Sequence, residues 1–154
     1  MSATSQEELR ELYRDLILDH ARSPRRFGKL DSATHDAEGI NPLCGDKLHI
    51  YLEIDGDGRI NQTAFEGSGC AISVASASLL TDEVTGLSSN EALARFDDVI
   101  GALTGNEDTA DIDLGKLAAL KGVREFPSRV KCATLAWHAM KSAVEQESAP
   151  ATTE

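Results

Sequence analysis

The fold is decided by the stretch Lys47-Leu48-His49-Ile50-Tyr51-Leu52-Glu53-Ile54, in which every second residue is Leu or Ile. A period of two predicts a strand with one buried face. The turn Asp55-Gly56-Asp57-Gly58 follows, and residues 60–66 are predicted to return as a second strand. Residues 34–40 are predicted to add a third strand.

Helical patterns lie on both sides of these strands. Near the N-terminus, apolar residues recur at helical spacing, at Leu9, Leu12, Tyr13, Leu16 and Ile17. This helix is expected to end before Ser23-Pro24, because a proline disfavours helical geometry in the residue before it. Further helices are predicted over residues 71–84, 90–103, 114–120 and 127–144, the third of them stopped by Gly122.

The order of helix, strands and helices predicts an α+β fold, in which helices pack on one face of a small antiparallel three-stranded sheet. Residues 1–144 are expected to form a single domain. Residues 145–154 are polar and are expected to form a flexible C-terminal tail.

Composition and charge narrow the functional classes. The 154-residue chain has a net charge of −11, which repels nucleic acid backbones and anionic membranes. It has no apolar run near the roughly 20 residues that span a bilayer, and its polar, acidic N-terminus does not resemble a secretory signal. We therefore expect a cytoplasmic protein that binds neither nucleic acid nor membrane, and whose cysteines are reduced thiols.

The three cysteines lie at turns or helix starts rather than in apolar runs. Cys44 precedes the first clear strand, Cys70 follows Gly69 at the start of a helix, and Cys132 lies in the first turns of the last helix. Unpaired backbone N–H groups at such places favour the thiolate, which is the form that binds metal. With Asp46 as a fourth ligand, the three sulfurs could make a tetrahedral zinc site.

The spacing of the cysteines leaves two interpretations open. The chain has no Cys-x-x-Cys pair, so a shared metal site and three unrelated small buried residues are equally supported by the residues alone. Arg129 precedes Cys132 by three residues on one helix face, where it could hold a thiolate or Asp46 by charge or simply be a solvated cation. The histidines are expected to be structural or solvated; they are His20, His35, His49 and His138.

Several short motifs, spread over residues 9–143, together resemble the IscU/NifU-like family of iron–sulfur cluster assembly proteins. They are Leu12-Tyr13-Arg14, Asp19-His20, Ser23-Pro24-Arg25, Asn41-Pro42-Leu43-Cys44-Gly45-Asp46, Gly67-Ser68-Gly69-Cys70-Ala71-Ile72-Ser73, Ala75-Ser76-Ala77-Ser78 and Arg129-Val130-Lys131-Cys132-Ala133-Thr134-Leu135.

Two features of these motifs favour the SufU branch of the family. Lys131 stands where IscU scaffolds carry a histidine before the third cysteine, and residues 90–113 look like the insertion typical of SufU. Residues 126–131 also do not reproduce the Leu-Pro-Pro-Val-Lys motif by which chaperones recognise IscU scaffolds.

The resemblance implies zinc held by Cys44, Asp46, Cys70 and Cys132. We take Cys44 and Arg129 as the candidate catalytic residues. The resemblance also implies a SufS-type cysteine desulfurase, a pyridoxal phosphate enzyme, as partner and an iron–sulfur scaffold downstream. Cys44 would accept sulfur from the persulfide of the desulfurase, after a histidine of that enzyme replaces Cys44 on zinc.

Two other functions use the same residues. One is an IscU-like scaffold that assembles a [2Fe–2S] cluster, since thiolates suit iron as well as zinc. The other is a structural zinc domain that has no chemistry of its own.

Overall fold

The computed structural model of the chain describes residues 3–42, 45–104, 114–146 and 151–152. In chain order its elements are α1 (Ala3–Arg22), β1 (His35–Asn41), β2 (Asp46–Ile54), β3 (Ile60–Ser68), α2 (Ala71–Val84), α3 (Ser89–Leu103), a 3-10 helix (Gly115–Glu125), α4 (Pro127–Glu145) and β4 (Ala151–Thr152). None of the helices in the described ranges has the length and apolar character that crossing a bilayer requires.

The sheet is built around β2, which pairs antiparallel with β1 on one side and with β3 on the other. This confirms the predicted three-stranded antiparallel sheet. The alternation in β2 has the expected effect, because Leu48, Ile50 and Leu52 are fully buried while Lys47 is exposed on the opposite face. The two residues of β4 add a short parallel strand beside β1. They lie in the segment predicted as a tail, and the domain boundary at residue 144 stays a prediction.

The helices pack on one face of the sheet, as predicted. Helix α4 lies against β1 and β2, and α2 lies against both α1 and α4. The buried face of α2 consists largely of small residues, among them Ala75, Ser76 and Ala77, and small side chains let neighbouring helices approach closely. Trp137 and Phe65 are the largest fully buried side chains in this core.

Two sequence predictions about the helices need correction. The 3-10 helix continues through Gly122 to Glu125, although Gly122 was expected to stop it. A helical glycine costs only about 1 kcal/mol, and burial of Leu117, Leu120 and Val123 outweighs that cost. Leu12 has a 64% exposed side chain, although its spacing places it on the apolar side of α1. Spacing assigns a residue to a helix face but does not say how far the neighbouring element covers that face.

A buried histidine joins α1 to α2. The side chain of His20 is 1% exposed, and its Nδ1 lies 2.7 Å from the Ser78 hydroxyl oxygen. That oxygen also accepts a hydrogen bond from the Arg25 N–H at 2.8 Å, which leaves its own proton to be donated to His20. Burial lowers the pKa of His20, and the positive charge of Arg25 lowers it further. The folded protein therefore holds His20 neutral.

We expect the protein to lose stability as the pH falls below about 6.5, because the unfolded chain then binds a proton at His20 that the folded chain resists. Urea unfolding of the wild type and a His20→Gln variant, at about pH 8 and about pH 5, would measure this. The wild type should have a higher free energy of unfolding than His20→Gln, and this difference should be smaller at the lower pH. An advantage of equal size at both pH values would contradict the assignment of His20 as a neutral contact.

Candidate metal centre

The carboxylate of Asp46 is the centre of a hydrogen-bonded cluster between β2 and α2. Asp46 is the first residue of β2 and is 1% exposed. Its Oδ1 accepts the backbone N–H of Cys70 at 2.9 Å, and its Oδ2 accepts the Ser73 hydroxyl at 2.6 Å. Both oxygens are thus held by the start of α2, and the orientation of the carboxylate is fixed.

Cys70 lies at the N-cap of α2, with an extended backbone and a half-buried side chain. Its sulfur is 4.0 Å from Asp46 Oδ2 and 3.5 Å from the Ser73 hydroxyl oxygen. Burial acts to raise the pKa of this thiol, but its polar contacts with the Ser73 hydroxyl, the Ser73 N–H and Cys132 outweigh burial and lower the pKa overall. The helix N-terminus favours the same negative charge.

Cys132 brings a second sulfur to this cluster from α4. Its side chain is 2% exposed, and one ligand atom from each of Asp46, Cys70 and Cys132 lies within 4.8 Å of the other two. Burial raises the pKa of Cys132, and its hydrogen bonds with Cys70 and Asp46 raise it further. Cys70 is therefore the sulfur of the pair that ionises first, and the Cys132 thiol is held close to it as a hydrogen-bond partner.

The predicted fourth ligand, Cys44, lies outside the described residues. The ends of its loop are described: Asn41 pairs with Asp46 across the β1–β2 hairpin, and the Gly45 N–H donates to the Asn41 carbonyl at 2.9 Å. In the sequence, Cys44 precedes Asp46 by two residues. Pro42 and Gly45, on either side of residues 43–44, are exposed.

The other residues that the sequence analysis considered are not part of this cluster. Arg129 is exposed in the first turn of α4, less than one turn before Cys132, and within the described part of the chain its side chain makes no ion pair. His49 is held by Asp36 at 2.6 Å on the open face of the sheet, and His138 packs edge-on against Phe96. Among the described residues, the candidate ligand group includes no histidine.

The donor set fits a metal ion. Two sulfurs and a carboxylate oxygen lie within 4.8 Å of one another, and a cation that displaces the thiol protons gains three anionic ligands. Asn41 supports the same conclusion, because its side-chain amide is fully buried opposite Asp46 and finds no partner among the described residues. An unsatisfied buried amide costs about 1–3 kcal/mol, and such groups often mark a place that an ion or ligand completes.

Sequence reasoning missed two residues that shape the site, Ser73 and Gly69. Ser73 is one of several serines in an Ala- and Ser-rich helix, and nothing in the pattern separates it from the others. Gly69 has a more specific role: a Cβ at this position would lie 2.8 Å from Asp46 Oδ1 and 3.2 Å from Ser73 Cβ. A residue with a side chain at position 69 would therefore press on the carboxylate.

We expect Gly69→Ala to weaken zinc binding by about tenfold or more, because the added methyl group displaces Asp46 from its two hydrogen bonds. Competition with a coloured chelator would give the zinc dissociation constant. Gly56→Ala is the matched control, since a Cβ at position 56 meets nothing within 4 Å. Equal zinc affinity in both variants would show that the contact at Gly69 does not support Asp46.

Comparison with known proteins places this site in a family. Residues 12–133 match the family model described as the NifU-like N terminal domain. The chain is 42% identical over 137 residues to the zinc-dependent sulfurtransferase SufU of Bacillus subtilis, covering 88% of this chain and 91% of that one. It is 41% identical over 139 residues to the iron–sulfur cluster assembly scaffold protein IscU of Streptococcus pyogenes serotype M1, covering 90% and 86%.

A solved structure agrees with the fold. The crystal structure of a candidate iron–sulfur cluster assembly scaffold protein for the SUF system, from Fervidobacterium islandicum AW-1, is 32% identical with a TM-score of 0.79. The match covers 84% of this chain and 94% of that one. The motifs, the helix-covered antiparallel sheet and these matches agree, and the chain belongs to the family of NifU-like N-terminal domains, together with SufU and IscU proteins.

Proposed function

We propose that this protein is a zinc-dependent sulfurtransferase of iron–sulfur cluster assembly, which accepts persulfide sulfur from a SufS-type cysteine desulfurase. One observation carries the proposal: a carboxylate held at both oxygens lies within 4.8 Å of two cysteine sulfurs, beside the loop that contains a third cysteine. The similarity to a zinc-dependent sulfurtransferase supports the choice of metal and reaction. The reduced thiols of the site fit the cytoplasm, where disulfides are rare.

Four residues would hold the zinc: Cys44, Asp46, Cys70 and Cys132. When bound, zinc keeps the thiolates unprotonated and takes no part in redox chemistry. Asp46 would make the site more exchangeable than a fourth thiolate would, and this suits a site that must open for reaction. Cys70 and Cys132 are the fixed part of the site, because Cys70 is the N-cap residue of α2 and Cys132 is a buried residue of α4.

Cys44 is the nucleophile in this proposal. Its neighbours Pro42 and Gly45 are exposed, whereas the sulfur of Cys132 is buried and that of Cys70 is tied to the start of α2. The Cys44 thiolate attacks the terminal sulfur of the desulfurase persulfide. A new S–S bond forms on Cys44, the S–S bond of the desulfurase breaks, and the desulfurase cysteine leaves as a thiolate. The exchange conserves electrons and needs no oxidant.

Arg129 assists this transfer from the protein surface. It is exposed at the start of α4, close to Cys132 in sequence, and carries a permanent positive charge. The persulfide that approaches and the thiolate that leaves are both anionic, so a guanidinium beside them favours the encounter. Phe126, which is 56% exposed just before α4, gives a partner an apolar contact next to this charge.

A scaffold function is the second candidate. The similarity to an IscU scaffold protein is almost as high as the similarity to SufU, and cysteine thiolates bind iron–sulfur clusters as readily as zinc. The two functions differ in what the site contains after it has reacted with sulfur. A carrier retains zinc and gains sulfur on a cysteine, whereas a scaffold exchanges zinc for iron and sulfide.

We expect anaerobic native mass spectrometry, after incubation with a SufS-type desulfurase, cysteine and ferrous iron, to find one retained zinc and the added mass of sulfur. Cys44→Ala should abolish the added sulfur, and Pro42→Ala, which changes the same loop without removing a thiol, should retain it. Two irons and two sulfides in place of zinc would establish the scaffold function instead. Added sulfur on the Cys44→Ala variant would overturn the role of Cys44.

Arg129→Ala should slow sulfur acceptance several-fold while leaving the bound zinc unchanged, because the side chain steers an anion and does not hold the metal. The rate of alanine release by the desulfurase, measured against the concentration of this protein, would separate weaker association from slower transfer. Arg129→Lys should retain part of the rate, and added salt should reduce the difference between the variants. Loss of zinc from Arg129→Ala would contradict this role.

A further inference from the structure

The hydroxyl of Ser73 stands between two of the proposed metal ligands. Its oxygen lies 2.6 Å from Asp46 Oδ2 and 3.5 Å from the Cys70 sulfur, and the residue is fully buried in the first turn of α2. A serine hydroxyl has one proton to donate, and the short distance directs that proton to the carboxylate. Ser73 therefore acts on the site through Asp46.

The Ser73 contact completes the support of the Asp46 carboxylate. The Cys70 N–H holds Oδ1 at 2.9 Å, and this bond alone would leave the carboxylate free to pivot about that oxygen. The Ser73 hydroxyl fixes the other oxygen and so sets the carboxylate plane relative to the Cys70 and Cys132 sulfurs. Each oxygen keeps a further lone pair, so the carboxylate can be held by these donors and still bind a cation.

We propose that Ser73 is a positioning residue of the metal centre, whose hydroxyl orients Asp46 so that its carboxylate joins the cysteine sulfurs around one ion. This inference rests on the metal-binding part of the proposed function and not on sulfur transfer. Residues that hold a metal ligand in this way typically contribute 10- to 100-fold to metal affinity. The ligand that Ser73 holds, Asp46, is buried, and its carboxylate lies within 4.8 Å of both cysteine sulfurs.

The chain provides a matched control in Ser76. Both serines are fully buried in α2, but the Ser76 hydroxyl donates to the Ala133 carbonyl and makes no contact with Asp46 or Cys70 in the described residues. Ser→Ala at either position removes one buried oxygen atom and improves helix propensity, so both variants are expected to fold. Thermal unfolding of the metal-free variants would verify that they do.

The test is zinc affinity, measured by chelator competition with purified protein and no desulfurase. Ser73→Ala should bind zinc about 10- to 100-fold more weakly than the wild type, and Ser76→Ala should bind zinc as the wild type does. The visible absorption of bound Co²⁺, which reports ligand geometry, should change in Ser73→Ala alone. Unchanged zinc affinity and Co²⁺ absorption in Ser73→Ala, or an equal loss in Ser76→Ala, would overturn the proposal.

A double-mutant cycle shows whether Ser73 acts through Asp46. In an Asp46→Ala background, Ser73→Ala should cause almost no further loss of zinc affinity, because the group that Ser73 positions is already missing. A loss as large as in the wild-type background would mean that Ser73 acts elsewhere, and would overturn the assignment. Sulfur acceptance does not enter any of these measurements, so failure of the sulfurtransferase proposal would leave this test intact.

Discussion

The hydrogen bond from the Cys70 N–H to Asp46 Oδ1 is the contact on which the site depends, because it ties the first residue of β2 to the N-terminus of α2. A helix N-terminus has unpaired N–H groups, and a buried carboxylate needs donors, so each satisfies the other. The same contact places the Cys70 sulfur beside Asp46. Packing of α4 on the sheet then brings Cys132 to the remaining side.

This junction constrains the chain around it. The end of β3 approaches the start of β2 so closely that a Cβ at Gly67 would lie 2.1 Å from the Lys47 carbonyl oxygen, and Gly67 also has a φ of +134°. Only glycine tolerates both conditions. Gly69, two residues on, leaves room for the Asp46 carboxylate. Close contacts with the start of β2 therefore require glycine at positions 67 and 69, whether or not a metal is bound.

Much of the fold could be predicted from local patterns. The Leu and Ile alternation predicted β2 and its buried face, and the helix boundaries of α2 and α4 followed from composition and from Pro127. The contribution of Ser73 could not be predicted, because its role depends on a partner 27 residues away and its own context resembles that of Ser76 and Ser78. The exposure of Leu12 and the 3-10 helix through Gly122 depend on tertiary packing, which periodicity does not describe.

The arrangement also explains why one family can contain both sulfur carriers and scaffolds. Asp46, Cys70 and Cys132 are held by a strand start, a helix N-cap and a buried helix face, and this fixed trio suits zinc and iron equally. The two named relatives differ by one percentage point in identity to this chain, so overall similarity does not separate the two functions. In the function proposed above, the carrier differs from a scaffold in what approaches the site beside this trio. At the start of α4 this chain presents exposed Arg129 and Phe126 and has Lys131 directly before Cys132. Cations at these positions suit the anionic sulfur donor of the proposed reaction, and a lysine does not supply the neutral nitrogen ligand that a histidine would offer a cluster.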